Sequence, residues 1–347
     1  MGETNTKKKL NGKQIATIVV VSVLIACVVV VFVFNFVYFS NPRKAPDDRI
    51  SQGLVPTQSD LANAKVYSRV VILGVDGAGG KFSEYNTPNF DEIFDGGSIN
   101  LNGMAQYPTM SAPNWASMLL GVTAQKHDIT NAKSGIVKNS GKKYPSIFSI
   151  YAEKNPNATF YSCVDWANIN KGIIEDNIPG MTKVNASKLV KPTKDEYNVD
   201  KKVAELAAER VKTHNDSIMF LHFDCVDHAG HASGNSSKAY KEAMEEVDRD
   251  LGIVYNAFKE ANLLDETLFI CVSDHGHTVK GGHGKESDSE KATTLAVAGR
   301  KGDVLTGTSG YYVTHDLASI VLYALGIEQP DYFEGGVPTN LFNTITQ

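Results

Sequence analysis

The chain has 347 residues, a formal net charge of −5, and apolar and charged fractions of 42% and 21%, the figures of a folded globular protein rather than a disordered one. So mild an acidity argues against a nucleic-acid-binding face, which needs a basic patch or stripe, and leaves carboxylates available as ligands for cations. Four cysteines, with Cys27 inside a long apolar run, do not make a disulfide framework.

Residues 15–39 read IATIVVVSVLIACVVVVFVFNFVYF without a single charge. That run exceeds the roughly 20 apolar residues a membrane-spanning helix needs. The exit VYFSNPRK offers no small-x-small cleavage site, so an uncleaved signal anchor is expected rather than a signal peptide. Lys7, Lys8, Lys9 and Lys13 precede the run, while Arg43, Lys44 and Arg49 follow it amid Asp47 and Asp48. By the positive-inside bias the protein is expected to be a single-pass type II membrane protein, with its main domain extracellular, periplasmic or lumenal. The expected organisation is a cytoplasmic tail over 1–13, the transmembrane anchor over 14–39, a polar stalk or linker over 40–66 and one folded domain over 67–347.

Beyond Tyr67, strand-like runs (RVVILGV, ATFYSC, SIMFLHF, TLFICV, TTLAVAG) alternate with helical patterns (SIFSIYAEK, VDKKVAELAAERVK, AYKEAMEEVDRDLGIVYNAFKE, HDLASIVLYALG). This alternation predicts an α/β domain with a mainly parallel central sheet and helices on both faces. Cys163, Cys225 and Cys271 sit in or beside apolar runs, so buried free thiols are expected, with one disulfide and an odd thiol as the alternative. Four Asn-x-Ser/Thr sites, at Asn157, Asn185, Asn215 and Asn235, would be glycosylated in a eukaryotic secretory route.

In such sheets ligands bind beyond the carboxyl ends of the strands. RVVILGV ends at Asp76. SIMFLHF runs into Asp224, Asp227, His228 and His231, and TLFICV into Asp274, His275 and His277, with His283 shortly after. Five of nine histidines fall in these last two stretches. One Asp or His at a strand end is usually a turn or core residue, but several converging on one sheet edge would each cost several kcal/mol to bury unpaired. A divalent cation compensates them; imidazole with carboxylate suits zinc, and carboxylate-rich sets also suit manganese. The remaining element is YPTMSAPNWASMLLGVTAQKHDITN, where Ser111 lies just before Pro113 at a helix start. A hydroxyl there has backbone N–H groups aimed at any anion it holds, although a lone Ser-x-Pro is more often only a cap.

Taken together, these segments resemble the alkaline phosphatase superfamily, and within it the type I phosphodiesterase/nucleotide pyrophosphatase branch. Asp76 matches the Asp ligand ending a strand, and Pro108, Thr109, Met110, Ser111, Ala112, Pro113 and Asn114 match P-T-x-[TS]-x-P-N, whose register selects Ser111 as nucleophile. Gly121, His127, Ile129 and Asn131 match a downstream stretch in which Asn131 would bond a phosphate oxygen. Asp227, Gly230 and His231 meet D-x-x-G-H; Asp274, His275 and Gly276 meet DHG; His283 supplies the last ligand. His315 is read instead as a helix start, and His228 and His277 as support behind the ligands.

The resemblance implies one ion on Asp227, His231 and His283, and a second on Asp76, Asp274 and His275 with Ser111 bound to it. Two ions about 3.5–4 Å apart stabilise the attacking and leaving oxygens, with Asn131 and the Ala112 N–H holding the third oxygen and a phosphoseryl-type intermediate on Ser111. The expected activity is a membrane-anchored phosphodiesterase or nucleotide pyrophosphatase acting on a nucleotide or phospholipid headgroup.

Departures shape the alternatives. The pyrophosphatases usually carry Thr and then a base-stacking aromatic, where this chain has Ser111 and Ala112; Trp166 is a candidate replacement wall. Serine keeps an alkaline phosphatase-like monoesterase open, but few arginines lie in the domain, none in a motif, and Lys126 is the nearest basic candidate. Trp115 stands where a sulfatase carries Arg. A phosphoethanolamine-type transferase keeps the same metals with a lipid donor, and a single span weighs against it. A binding protein on a decayed hydrolase scaffold would lack a ligand, and none is missing.

Overall fold

Strands β1 (Arg69–Val75), β3 (Phe160–Val164), β5 (Ile218–Phe223) and β6 (Thr267–Val272) are buried along their whole length. That is why they read as unbroken apolar runs: a parallel sheet is covered on both faces. In the computed structural model, which describes residues 49–134, 143–191 and 197–344, they join β2 (Ser98–Met104), β4 (Met181–Asn185) and β7 (Ala292–Ala298) in one 7-stranded sheet of order β2-β7-β6-β1-β5-β3-β4. β6, β1, β5, β3 and β4 pair in parallel, and β7 pairs antiparallel with both β6 and β2. The sheet is therefore mixed, with the antiparallel strand confined to one side.

Alternate residues of each central strand enter two separate cores. Val70, Ile72, Phe220 and Ile270 face one, with Trp115, Phe148 and Ile320. Val71, Leu73, Leu221 and Phe269 face the other, with Phe94, Val203 and Met244. The first layer holds α3 (Ser111–Leu120), α5 (Ile147–Lys154) and α10 (Leu317–Ala324); the second holds α2 (Pro88–Phe94), α6 (Asn198–Val211) and α8 (Lys238–Glu260). Each fully buried aliphatic or Phe side chain contributes on the order of 1.5–3 kcal/mol. In α8 the buried positions Tyr240, Met244, Val247, Leu251, Val254 and Phe258 keep helical spacing, and the Ser237 side chain caps the Tyr240 N–H.

β2 and β4 have no counterpart among the strand-like runs. They are the sheet edges, and their SINLNGM and MTKVN are half-polar because an edge strand needs only partial burial. The expected anchor at 14–39 lies outside the described residues, and among the described residues no helix is long and apolar enough to cross a membrane. Residues 49–66, the end of the expected linker, lie against the domain: Arg49 Nε donates to the Ala105 carbonyl at 2.8 Å, and Leu54 bridges Val337. Cys163, Cys225 and Cys271 are free and buried. Asn235 is only 2% exposed and its amide donates to the His277 carbonyl, so this acceptor is not open to glycosylation.

Candidate active site

Three strand ends and one helix start meet at the carboxyl edge of the sheet. β1 runs directly into Asp76, which is 1% exposed. Its Oδ2 accepts hydrogen bonds from Trp115 Nε1 at 2.8 Å and His222 Nε2 at 3.0 Å, while Oδ1 lies 3.5 Å from both Ser111 Oγ and His275 Nε2. Burial by itself would raise the Asp76 carboxyl; the His222 hydrogen bond, the His275 and His222 rings and the Trp115 N–H together hold it below the usual carboxylate range. Ser111 opens α3, a 10-residue helix ended by Gly121 in the left-handed conformation. Its Oγ is 3.3 Å from His275 Nε2.

β6 delivers Asp274 and His275. Asp274 Oδ1 accepts the N–H groups of Gly77 at 3.1 Å and His275 at 2.9 Å. Gly77, at φ +68, is where the chain turns after Asp76; a Cβ there would meet His277 Nε2 at 2.8 Å and Asp227 Cα at 2.9 Å. β5 leads into α7 (Cys225–Ser233), which carries Asp227 in its first turn and His231 in its last. Asp227 lies 2.8 Å from His277 Nε2, 3.4 Å from His231 Nε2 and 3.6 Å from His283 Nε2. The Nε2 atoms of His231 and His283 face each other at 3.0 Å.

Protonation states follow from burial. His275 is pushed well below the ordinary imidazole range by burial and by His283, and burial takes His277 down to about 4 and lowers His283. Asp227 is pushed up to about 7 by burial and by the Asp76 and Asp224 carboxylates, and Asp274 is raised well above its ordinary value by burial and Asp76. The neutral imidazoles are already in the state a cation requires of them, and a cation between Asp227 and Asp274 would offset the crowding that keeps these carboxyls protonated.

The side chains fit metal ions on a second count. Asp274 Oδ2 is buried without a hydrogen-bond donor. His283 Nδ1 is 2.7 Å from the Thr109 carbonyl, so a proton on Nδ1 leaves the Nε2 lone pair facing the cluster. Ligand atoms of Asp76, Asp274 and His275 lie within 4.8 Å of one another, as do those of Asp227, His275, His277 and His283. Of the expected ligands, Asp76, Asp227, Asp274, His275 and His283 fall in these two groups; His231 stands beside them, facing His283 and Asp227, and His277, expected only as support, takes its place among the clustered ligand atoms.

Several details were not legible in the motifs. Trp115 and His222, the two donors to Asp76, read only as core residues of a helix and a strand. Asn131 Oδ1 accepts the Ala112 N–H at 2.8 Å, so that N–H orients Asn131 rather than pointing at a substrate oxygen as expected. Trp166 packs against the first core. Lys126 is held by the Tyr332 carbonyl at 2.8 Å and by Glu334 at 3.6 Å. His315 lies in the 3₁₀ turn Thr314–Asp316 before α10 and meets Gln106 Nε2 at 3.0 Å, and His228 lies 3.3 Å from Asp224.

Comparison with known proteins agrees with this geometry. Residues 70–280 match the family model for type I phosphodiesterase/nucleotide pyrophosphatase. The GPI ethanolamine phosphate transferase 2 of Aspergillus fumigatus is 25% identical over 236 residues, which is 67% of this chain but 30% of that protein. The GPI ethanolamine phosphate transferase 3 of Schizosaccharomyces pombe is 32% identical over 109 residues, 31% of this chain and 11% of that protein. The chain therefore spans about a third or less of the length of these curated relatives. Among solved structures, murine ectonucleotide pyrophosphatase/phosphodiesterase 5 superposes with a TM-score of 0.61 at 15% identity, covering 76% of this chain and 96% of that one. A protein of the alkaline phosphatase superfamily from Vibrio parahaemolyticus gives 0.58 at 15% identity over 85% of this chain and 73% of its own. At such identities these likenesses speak for a shared fold. The family match covers more than half of the chain and runs through the strand ends that carry the cluster, so this protein belongs to the type I phosphodiesterase/nucleotide pyrophosphatase family.

Proposed function

We propose that the chain carries out phosphoryl transfer on a phosphate diester through Ser111, with phosphoethanolamine as the transferred group and two divalent cations, zinc or manganese, as cofactors. The observation that carries the chemistry is Ser111 at the start of α3, its Oγ 3.3 Å from His275 and 3.5 Å from Asp76 within the converging carboxylates and imidazoles. The transferred group is inferred from relatives described as ethanolamine phosphate transferases. They turn the balance from hydrolysis, which the motifs favoured, toward transfer.

Asp227, His231 and His283 would hold one ion; Asp76, Asp274 and His275 would hold the other beside Ser111. When bound, such ions neutralise phosphoryl oxygens and lower the pKa of a serine hydroxyl. Trp115 and His222 restrain Asp76 through Oδ2 and leave Oδ1 toward Ser111. Ser111 Oγ forms the new P–O bond as the P–O bond to the donor alcohol breaks, and that alcohol leaves with a proton. An acceptor hydroxyl then attacks phosphorus, gives up its proton, and Ser111 departs protonated. Asn131, anchored through Oδ1 by the Ala112 N–H, presents its Nδ2 to a phosphoryl oxygen. With water as acceptor the same steps are a phosphodiesterase reaction, the second reading, favoured by the likeness in fold to a phosphodiesterase. A nucleotide substrate is disfavoured by Ala112 after the nucleophile and by Trp166 packed on the core. A lipid-borne donor suits the uncharged run at 15–39, which we take as a membrane anchor with the domain on the non-cytoplasmic side.

The test uses the full chain in detergent with Zn²⁺ or Mn²⁺. Chelator-sensitive turnover of bis-p-nitrophenyl phosphate above p-nitrophenyl phosphate, and transfer of phosphoethanolamine from phosphatidylethanolamine to an added alcohol, are expected. Preference for the monoester would sink the diester reading. Diester cleavage without transfer would leave hydrolysis.

A further inference from the structure

The loop that follows β6 has to present His283, yet its own backbone does little to fix that residue. Gly281, Gly282 and Gly284 flank it with φ of +90, +79 and +106, the left-handed region that glycine enters freely. Thr278 closes the near side of the loop: its N–H donates to the Gly282 carbonyl at 3.0 Å and its Oγ1 to the Gly281 carbonyl at 2.7 Å. On the far side the Glu290 carboxylate accepts the N–H groups of Lys285 at 2.9 Å and Ser287 at 3.1 Å. His283 stands between these two ties.

Its hold comes from Thr109, a fully buried residue 174 positions earlier. The Thr109 carbonyl lies 2.7 Å from His283 Nδ1, its Oγ1 accepts the Gly284 N–H at 2.9 Å, and the same hydroxyl donates to the Lys285 carbonyl at 2.8 Å. One side chain and its carbonyl thus engage three consecutive residues of the loop, and the hydroxyl works as donor and acceptor at once. Thr109 is itself firmly mounted. Asn114 Nδ2, in the first turns of α3, donates to the carbonyls of Pro108 at 3.3 Å and Met110 at 3.0 Å, and Asn114 Oδ1 accepts the Gln106 N–H at 2.6 Å. The braced side of the contact is therefore the segment two residues before Ser111, and the permissive side is the glycine-rich loop. Held in this way, His283 Nε2 comes within 3.0 Å of His231 Nε2 and 3.6 Å of Asp227.

We propose that Thr109 is the positioning residue that sets His283, and with it the ion on Asp227, His231 and His283, at a fixed distance from Ser111. This rests on the two-cation reading of the site and names what keeps one of the ions in register with the nucleophile.

The experiment titrates Zn²⁺ into the chelated full chain in detergent, without substrate, and reads the number and affinity of the ions bound by the wild type, Thr109→Val, Thr109→Ser, His283→Ala and the double variant Thr109→Val with His283→Ala. Valine keeps the β-branched shape and the backbone carbonyl but removes the hydroxyl; serine keeps the hydroxyl. The wild type is expected to bind two ions. Thr109→Val should weaken one of them by about tenfold or more, the usual effect of losing a partner behind a metal ligand, leave the other unchanged, and melt close to the wild type when chelated. Thr109→Ser should restore the weakened ion, and once His283 is gone Thr109→Val should cost nothing more. Wild-type affinity for both ions in Thr109→Val, equal weakening of both, or a Thr109→Ser as defective as Thr109→Val overturns the positioning role. So do additive losses in the double variant, because Thr109 then acts by a route other than His283. A chelated Thr109→Val without a cooperative melting transition overturns it as well, since the hydroxyl then holds the fold. A wild type that binds fewer than two ions overturns the two-cation reading and this role with it. A wild type that binds both ions and transfers nothing overturns the transfer reading and leaves Thr109 to be judged by the variants alone.

Discussion

Asp76 receives two hydrogen bonds on Oδ2, from a fully buried indole and a fully buried imidazole, so the orientation of its other oxygen is set before any substrate arrives. Replacing the indole tests that arrangement. Trp115→Phe keeps most of the apolar bulk and loses the donor, and is expected to lower kcat/KM or metal affinity by about 10–100-fold, the usual effect of losing a partner behind a metal ligand. Unchanged kinetics and metal content in that variant would show that the N–H does not matter. Ser111→Ala goes further: turnover is expected to fall by ~10³-fold or more with metal content and melting temperature preserved. Wild-type turnover there would remove Ser111 from the reaction.

Whole elements are held at the site by close approach. α7 comes so near the loop after β6 that a Cβ on Gly230 would overlap the His277 ring, and a Cβ on Gly74 in β1 would lie 2.7 Å from the Trp115 ring. Glycine at these positions lets α7 bring Asp227 to His277, and lets α3 lie on β1 with Trp115 facing Asp76. Gly230→Ala is therefore expected to destabilise the protein by about 1–3 kcal/mol and to weaken metal binding by roughly tenfold as His277 leaves Asp227. Melting curves with and without added Zn²⁺ read both effects. A stability loss without any metal defect would mean that the His277–Asp227 contact is not needed.

At the scale of the molecule, buried ionisable groups set a pH dependence for the metal-free protein. Burial and neighbouring acids push Asp165 and Asp227 up to about 7 and Asp250 up to about 8, and burial pushes Asp316 up to about 7. A carboxyl raised in the folded state stabilises it below its unfolded pKa of about 3.9, and that stability is lost as pH rises through the folded value. His228, raised to about 10 by Asp224, acts in the same direction above its unfolded pKa of about 6.5. Histidines lowered by burial, such as His127, His277 and His315 at about 4, act oppositely, but their effect is complete by about pH 6.5. The melting temperature of the chelated protein should therefore fall from pH 6.5 to 8. Added Zn²⁺ should raise it, and more so at the upper end, because the cation binds the ionised ligands. A flat or rising profile without metal would contradict this assignment of buried carboxyls.

How much of this was legible in one dimension follows from what a strand end is. Asp76, Asp227, Asp274 and His275 each stand at or within a few residues of the end of a long apolar run, and a parallel sheet brings all such ends to one edge, so local pattern and chain order were enough to bring the candidate ligands together. Ser111 was singled out by the family resemblance, whose motif register selects it, since a lone serine before a helix start reads as well as a cap. Trp115 and His222 were not: each sits inside an apolar pattern that packing alone explains, and their bonds to Asp76 span 39 and 146 residues. Nor was the role of Asn131, whose side chain is turned by the Ala112 N–H, nor the two edge strands, which are too polar to announce themselves. By itself the sequence determined the five inner strands, their two-sided burial and the strand ends that carry the candidate ligands, because periodicity and strand ends are local properties. Only the tertiary structure decided which carboxylate is braced and which N–H is already taken, because each depends on groups apart in the chain meeting in the folded interior.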